Sequence, residues 1–288
     1  MHFRLLGPVE VVGPDGPARI TAPREQIVLS MLLAEANQVV PMKRLIASIW
    51  DERAPRTARS QVQICVSTLR RHLAAAGLEG RVSTLPAGYL LQAAIEELDL
   101  LSFQQCQADG REAARRGDLE GAARAYRAGL AVWRGEPFAG LTGRVVETVA
   151  TSLIERRLSV IEECIAVDLQ LGRHHEVIGD LVMLVAEHPL RERLRGQLMV
   201  ALYRAGRRPE ALDAYHAARH MLVEDMGLEP GEPLRRLQQA ILADAAELKV
   251  PAVFGAQAVP VVPLAAVIAD FAGQDRGNGA APDEVRSR

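Results

Sequence analysis

The period of the apolar positions changes several times along this chain, and each change marks an element. Residues 3–12 (FRLLGPVEVV) and 18–21 (ARIT) read as short strands either side of a turn cluster, GPDGP. From Arg24 to Ala36 the period lengthens, so that Ile27, Val28, Met31 and Leu32 share one face of a helix. Pro41 fits the first position of a second helix, whose apolar stripe is Met42, Leu45, Ile46, Ile49 and Trp50. A polar loop, DERAPRT (51–57), leads to a third helix from Ala58 to Ala75, stopped by Gly77. RVST and GYLLQA, joined by LPA, then read as a hairpin. Strands, three helices and a terminal hairpin within residues 1–95 follow the order of a complete winged helix-turn-helix unit.

The third helix has two unlike faces. At 100° per residue, Val62, Cys65, Val66, Leu69 and Leu73 fall together and must pack inward. The opposite face carries Arg56, Ser60, Gln63, Ile64, Ser67, Thr68 and Arg71, with Arg59 and Arg70 on one flank. Arg53 to Gly77 holds five arginines and no acid, whereas a helix face that is merely solvated mixes both signs. Arginine can bond guanine through two donors, glutamine can bond adenine, and hydroxyls reach bases or phosphates. Ile64 has the chemistry to touch a thymine methyl. This face therefore suits the major groove of double-stranded DNA.

From residue 99 the pattern is helical and weakly repetitive. Gly117-Asp118 is followed by Ala122, Tyr126 and Trp133; Gly172-Arg173 by Val177 and Leu181; Gly206-Arg207 by Ala211 and Tyr215. Glu136-Pro137, His188-Pro189 and Glu229-Pro230 close the three units. A turn, a small residue and then a large apolar anchor is how helical hairpins of the tetratricopeptide type stack. The tail from Pro251 is rich in Pro, Ala and Gly and has the composition of a linker and a disordered end.

Composition adjusts this picture in two places. The chain of 288 residues is 49% apolar but only 4% aromatic, so its cores must be built from Leu, Val, Ala and Ile. Its net charge of −2 argues against a nucleic-acid binder until the distribution is read. Residues 1–95 carry eleven Lys and Arg against seven Asp and Glu, a local excess of the sign DNA requires.

Other chemistry is not indicated. No phosphate-binding loop, zinc-protease helix or nucleophile elbow occurs in the sequence. Cys65, Cys106 and Cys164 are widely spaced and read as buried free thiols of a reducing compartment. His174-His175 are adjacent, and neighbours on a helix point apart, so they chelate poorly; His216 and His220 lack further ligands and read as an exposed pair. No metal or cofactor is expected. Residues 250–269 are uncharged but interrupted by three prolines, which favours an extended linker over a membrane span. The N-terminus lacks the pattern of a signal peptide.

FRLLGPVEV, LIASIW, VQICVSTLRRHL and VSTLPAGYLL together resemble the DNA-binding domain of the Streptomyces antibiotic regulatory protein family, an OmpR-type winged helix. The region from LDLLSFQQ (98–105) to GLEPGEPLRRLQQAIL (227–242) is similar to that family's bacterial transcriptional activation domain. The resemblance implies a pathway-specific activator of secondary-metabolite (antibiotic) genes. Such a protein binds direct repeats near the −35 element as a homodimer on DNA and recruits RNA polymerase holoenzyme. It implies a recognition helix from Arg56 to Leu73, with Ser67, Arg70 and Arg71 facing DNA and Thr84 and Tyr89 on the wing near the backbone. Thr68 stands where the family often has arginine. Residues 263–276 are similar to the lead-in to a nucleotide-binding domain, but no phosphate loop follows in this sequence.

The expected fold is mainly α with a small β component. A winged helix-turn-helix over 1–95 is followed by all-α tetratricopeptide-like repeats over 96–245 and a Pro/Ala/Gly-rich tail over 246–288. The expected function is DNA-binding activation of transcription in the cytoplasm, at the nucleoid, rather than catalysis or membrane work. The DNA-binding set is Arg56, Arg59, Ser60, Gln63, Ser67, Thr68, Arg70, Arg71, Thr84 and Tyr89. A protein-binding helical scaffold, an enzyme and a repressor are the rival readings. The acid-free arginine face weighs against the first and the lack of a catalytic motif against the second, while the third would use the same DNA interface.

Overall fold

The computed structural model describes residues 1–14 and 16–248. The chain opens with β1 (Phe3–Arg4), β2 (Glu10–Gly13) and β3 (Gly16–Ala18), an antiparallel sheet in the order β1-β2-β3. Two strands were expected over 3–12 and 18–21, and three shorter ones form. The first run breaks after Arg4 because the next two backbone N–H groups, of Leu5 and Leu6, turn away from the sheet to the carboxylate of Asp99. The second begins two residues early, inside the expected turn, because Gly16 and Pro17 pair with Gly13 and Val12.

Three helices follow: α1 (Pro23–Ala34), α2 (Met42–Trp50) and α3 (Ala58–Ala75). Proline at the start of α1 lacks an N–H that the first turn would leave unbonded anyway. Ile27, Val28, Met31 and Leu32 are buried as expected, and so are Leu29 and Leu33, which makes α1 the central helix of this half. Pro41 is not the first residue of α2. Its ψ of 144° keeps it extended as the cap, at the end of a strand the sequence pattern did not reveal, β4 (Val39–Pro41). β4 pairs with β6 (Gly88–Leu91), which also pairs with β5 (Val82–Leu85), giving the order β4-β6-β5. Gly88 is needed where these strands cross, because a Cβ there would lie 2.0 Å from the carbonyl oxygen of Val40.

The rest of the described chain is helical: α4 (Asp99–Arg115), α5 (Leu119–Leu130), α6 (Arg144–Gln170), α7 (His174–Glu187), α8 (Glu192–Arg204), α9 (Arg208–Met226) and α10 (Glu232–Leu242). α4/α5, α6/α7 and α8/α9 are the three hairpins foreseen from the repeat pattern. Gly117, Gly172 and Gly206 make their turns at φ of 79°, 79° and 76°, a left-handed conformation that suits glycine. The anchors Ala122, Tyr126, Trp133, Val177, Leu181, Ala211 and Tyr215 are all buried. Asp168, at 1% exposure, ties three helices together: it accepts from Arg127 of α5 at 2.7 Å and from Arg173, just before α7, at 3.1 Å. This is a winged helix-turn-helix followed by an all-α tetratricopeptide-like array.

The two halves share backbone. His2 N–H donates to the carbonyl of Glu97 at 2.8 Å, and Phe3 bridges Leu98. The Asp99 carboxylate accepts from Leu5 and Leu6 N–H at 2.8 and 3.0 Å, and from its own neighbour Leu100 at 2.8 Å. Arg134 N–H donates to Leu6 O at 2.8 Å, its guanidinium lies 3.8 Å from Asp99, and Phe138 N–H reaches Gly7 O. The N-terminal sheet therefore draws on residues beyond 95, and residues 1–95 do not contain all the partners of their own backbone. The expected tail lies outside the described residues from 249 onward. Among the described residues no helix is long and apolar enough to cross a membrane.

Candidate nucleic-acid interface

The interface is built on α3. Val62, Cys65, Val66, Leu69 and Leu73 are all buried, so the inner face holds the helix against α1 and α2. Burial pushes the Cys65 thiol up from its ordinary range, as expected of a structural cysteine. Cys164 is buried too and pushed up to about 12, chiefly by burial, whereas Cys106 is only half-buried. All three thiols are free.

With that face inward, the opposite one stands in solvent. Arg59, Ser60, Gln63, Ser67, Arg70 and Arg71 are exposed and Thr68 is partly so, whereas Arg56, expected on the helix, is exposed in the loop before it because α3 begins only at Ala58. Ile64 is 65% exposed, an apolar side chain in the middle of a polar face. Arg71 reaches back to the Thr68 hydroxyl at 3.2 Å, a bond that water or a nucleobase can replace at little cost. Arg70 is committed differently. Its guanidinium donates to the carbonyl of Val82 at 3.0 Å and the hydroxyl of Thr84 at 2.8 Å, which fastens the helix to β5 of the wing. Thr84 itself is exposed.

Tyr89 departs from expectation. It is 5% exposed and belongs to the core. The reason is its strand: β6 is central, so Tyr89 is flanked by Val40 of β4 and Thr84 of β5. A ring held there shapes the wing from inside rather than presenting itself to a phosphate backbone.

A group of residues at the start of α3 was not anticipated. Arg24 donates to Gln61 Oε1 at 2.7 Å, and Gln61 donates in turn to the Thr57 hydroxyl at 2.9 Å. The same guanidinium stacks 5.2 Å from the Trp50 ring centroid. One arginine thereby joins the start of α1, the end of α2 and the first turn of α3. The only signal for it in the sequence is an arginine beside the helix-opening proline. Glu52, in the loop before α3, pairs with Arg144 of α6 at 3.4 Å, both largely exposed.

The histidines do not assemble a metal site. The rings of His174 and His175, the first two residues of α7, lie 4.4 Å apart, closer than expected for neighbours on a helix. Burial and the neighbouring His175 hold His174 below its ordinary value. No group of three His, Cys, Asp or Glu gathers around a common point among the described residues. His216 and His220 are both exposed.

Comparison with known proteins finds relatives of both halves. The family described as "Bacterial transcriptional activator domain" matches residues 98–242, and that described as "Transcriptional regulatory protein, C terminal" matches residues 19–91. The regulatory protein AfsR of Streptomyces coelicolor is 35% identical over 280 residues, 95% of this chain and 28% of AfsR. The transcriptional regulatory protein EmbR of Mycobacterium tuberculosis is 35% identical over 84% of this chain and 63% of EmbR. The regulatory protein DnrI of Streptomyces peucetius is 32% identical over 84% of this chain and 92% of DnrI. A solved structure of Mycobacterium tuberculosis EmbR in complex with a low affinity phosphopeptide superposes with a TM-score of 0.80 at 34% identity, covering 87% of this chain and 65% of that one. The chain thus spans less than two thirds of AfsR and of EmbR but most of DnrI.

Proposed function

The chain belongs to the Streptomyces antibiotic regulatory protein family, and from that premise we propose that it is a sequence-specific DNA-binding activator of transcription. The observation that carries the reading is the outer face of α3: exposed arginines, amides and hydroxyls with no acid among them, on a helix whose other face is locked into the core. The helix lies in the major groove and the β5–β6 hairpin lies against the adjacent backbone. Arg56, in the loop before the helix, and Arg59, in its first turn, meet phosphates. Ser60, Gln63, Ser67, Thr68 and Arg71 face base edges. Arg70 and Thr84 fix the angle between helix and wing while contacting the backbone, and Tyr89 supports the hairpin from below.

The finer reading follows the family. The protein acts as a homodimer on direct repeats near the −35 element of a secondary-metabolite gene cluster and recruits RNA polymerase holoenzyme. Its place in the cell is the cytoplasm, at the nucleoid. The loop Asp51–Thr57 and the helical array are the surfaces offered to polymerase, and the Glu52–Arg144 pair puts the two side by side.

The test is footprinting of the full chain on promoters beside its own gene, followed by transcription in vitro with purified holoenzyme. Protection of repeated half-sites with a salt-dependent affinity and increased transcript supports the reading. Protection with decreased transcript makes the protein a repressor on the same interface. Absence of salt-dependent binding to any of these fragments overturns the DNA-binding role.

A further inference from the structure

A groove of about 740 Å³ runs between α6, α8 and α10. Its walls are Ala166 and Leu169 of α6, Gly196 and Val200 of α8, and Leu234 and Leu237 of α10. Gly196, Val200 and Arg204 recur every four residues, so one face of α8 forms the floor. Gly196 contributes no side chain to fill it: a Cβ there would meet only the tips of Leu234 and Leu237, at 3.7 and 3.6 Å. Apolar walls of this kind, left to water, cost free energy that an apolar occupant recovers.

We propose that residues 250–254 of this chain are that occupant. Three observations point to it. First, the described chain ends at the groove's edge. The 3₁₀ turn Ala246–Leu248 is held by Arg204, whose Nε donates to Leu248 O at 2.8 Å and whose Nη1 donates to Leu169 O at 2.7 Å. Arg204 and Leu169 both line the groove, so the described chain ends at its rim. Second, the following segment has the right chemistry: residues 250–269 carry no charge and begin Val250, Pro251, Ala252, Val253, Phe254. Third, the lengths agree. From Arg204 back to Gly196 is about 12 Å along α8, and four to five extended residues at ~3.3 Å each cover that span. Val250 to Val253 would thus run past Val200 to Gly196, with Phe254 beside it. Because the segment is tethered at Leu248, docking draws on a high effective concentration and does not depend on dilution.

The proposal is independent of what the α3 face binds, and its test needs no DNA. In the full chain, Phe254 is replaced by the photoreactive p-benzoylphenylalanine, the protein is irradiated, and cross-linked peptides are mapped by mass spectrometry. The expected product is an intramolecular link to the stretch 196–200 or 233–237, lost when Val200→Glu is added. Links between two copies would mean that a second molecule fills the groove, and links elsewhere or none would mean that the tail does not; either overturns the proposal. A second measurement guards against Val200→Glu simply unfolding the domain. Val200→Cys in the full chain should react with a maleimide roughly tenfold more slowly than the same chain carrying Val253→Asp and Phe254→Asp. Equal rates in the two folded proteins overturn the proposal as well.

Discussion

Replacing Asp99 by alanine should cost about 3–5 kcal/mol of unfolding free energy. The carboxylate is fully buried at the start of α4, accepts three backbone N–H groups, and faces Arg134. Alanine leaves the N–H groups of Leu5, Leu6 and Leu100 without their acceptor, at about 1–3 kcal/mol for each that water cannot reach. A favourable charge at a helix N-terminus is lost as well. Against this stands the cost of burying the carboxylate, which alanine removes and which holds the sum below simple addition. Asparagine keeps one oxygen and should lose about 1–3 kcal/mol. Urea unfolding of the full chain gives both values from the midpoint and slope. A loss under about 1 kcal/mol for Asp99→Ala would refute the assignment of these bonds as the joint between the two halves. Burial pushes the Asp99 carboxyl above the ordinary 3.8. The folded state therefore holds this proton more tightly than the unfolded one, so its contribution to stability falls as pH rises from about 3.8 through the raised value. The gap between native protein and Asp99→Asn should narrow over that window and stay constant above it. A fragment ending at residue 95 lacks Glu97, Asp99 and Arg134 altogether, and it should unfold at lower urea than the N-terminal half within the full chain.

Arg71→Ala should cost about 1–3 kcal/mol on the operator and little on scrambled DNA at the same salt, whereas an equal loss on both would make Arg71 a phosphate contact. Arg70→Ala should weaken both DNAs together and lower stability by about 1 kcal/mol, because its bonds to Val82 and Thr84 brace the wing; unchanged stability would show that the brace is idle. Gly88→Ala should destabilise the protein by about 1–3 kcal/mol, since the new methyl must push back the Val40 carbonyl, and a change within error would mean that β4 and β6 part freely. Cys65→Ala should lower stability by about 1–2 kcal/mol while leaving operator preference intact, and rapid maleimide labelling of native Cys65 would contradict its inward placement.

Where a periodic face met a single kind of environment, the sequence was sufficient. The two faces of α3 and the anchors after Gly117, Gly172 and Gly206 lie where the pattern put them, because a helix sorts side chains by angle alone. Short strands were less legible. β4 is three residues long, and Pro41 satisfies the rules for a strand end and for a helix start equally well. Tyr89 reads as a wing residue from its position, but its burial depends on β6 being central, which is a property of pairing with a strand half the domain away. Asp99 reads in the sequence as an ordinary acid at the start of a helix; that its oxygens serve Leu5 and Leu6 is written nowhere in the local sequence. Arg24 is the same case, with partners on two other helices.

The Asp99 joint also sets a phase. Since the chain around β1 is bonded to the Glu97 carbonyl, to the Asp99 side-chain carboxylate at the start of α4 and to the Arg134 N–H, the winged helix and the helical array have no free swivel between them. With α3 in the major groove as proposed, the array would project from the duplex at a fixed azimuth. Two copies on direct repeats would then project their arrays to the same side of the duplex only when their sites are separated by whole helical turns, about 10–10.5 base pairs or multiples of it. Five base pairs inserted between half-sites would swing one array to the opposite side of the DNA, leaving each copy able to bind but unable to meet its neighbour. A loosened joint, as in Asp99→Ala, should blunt that dependence on spacing.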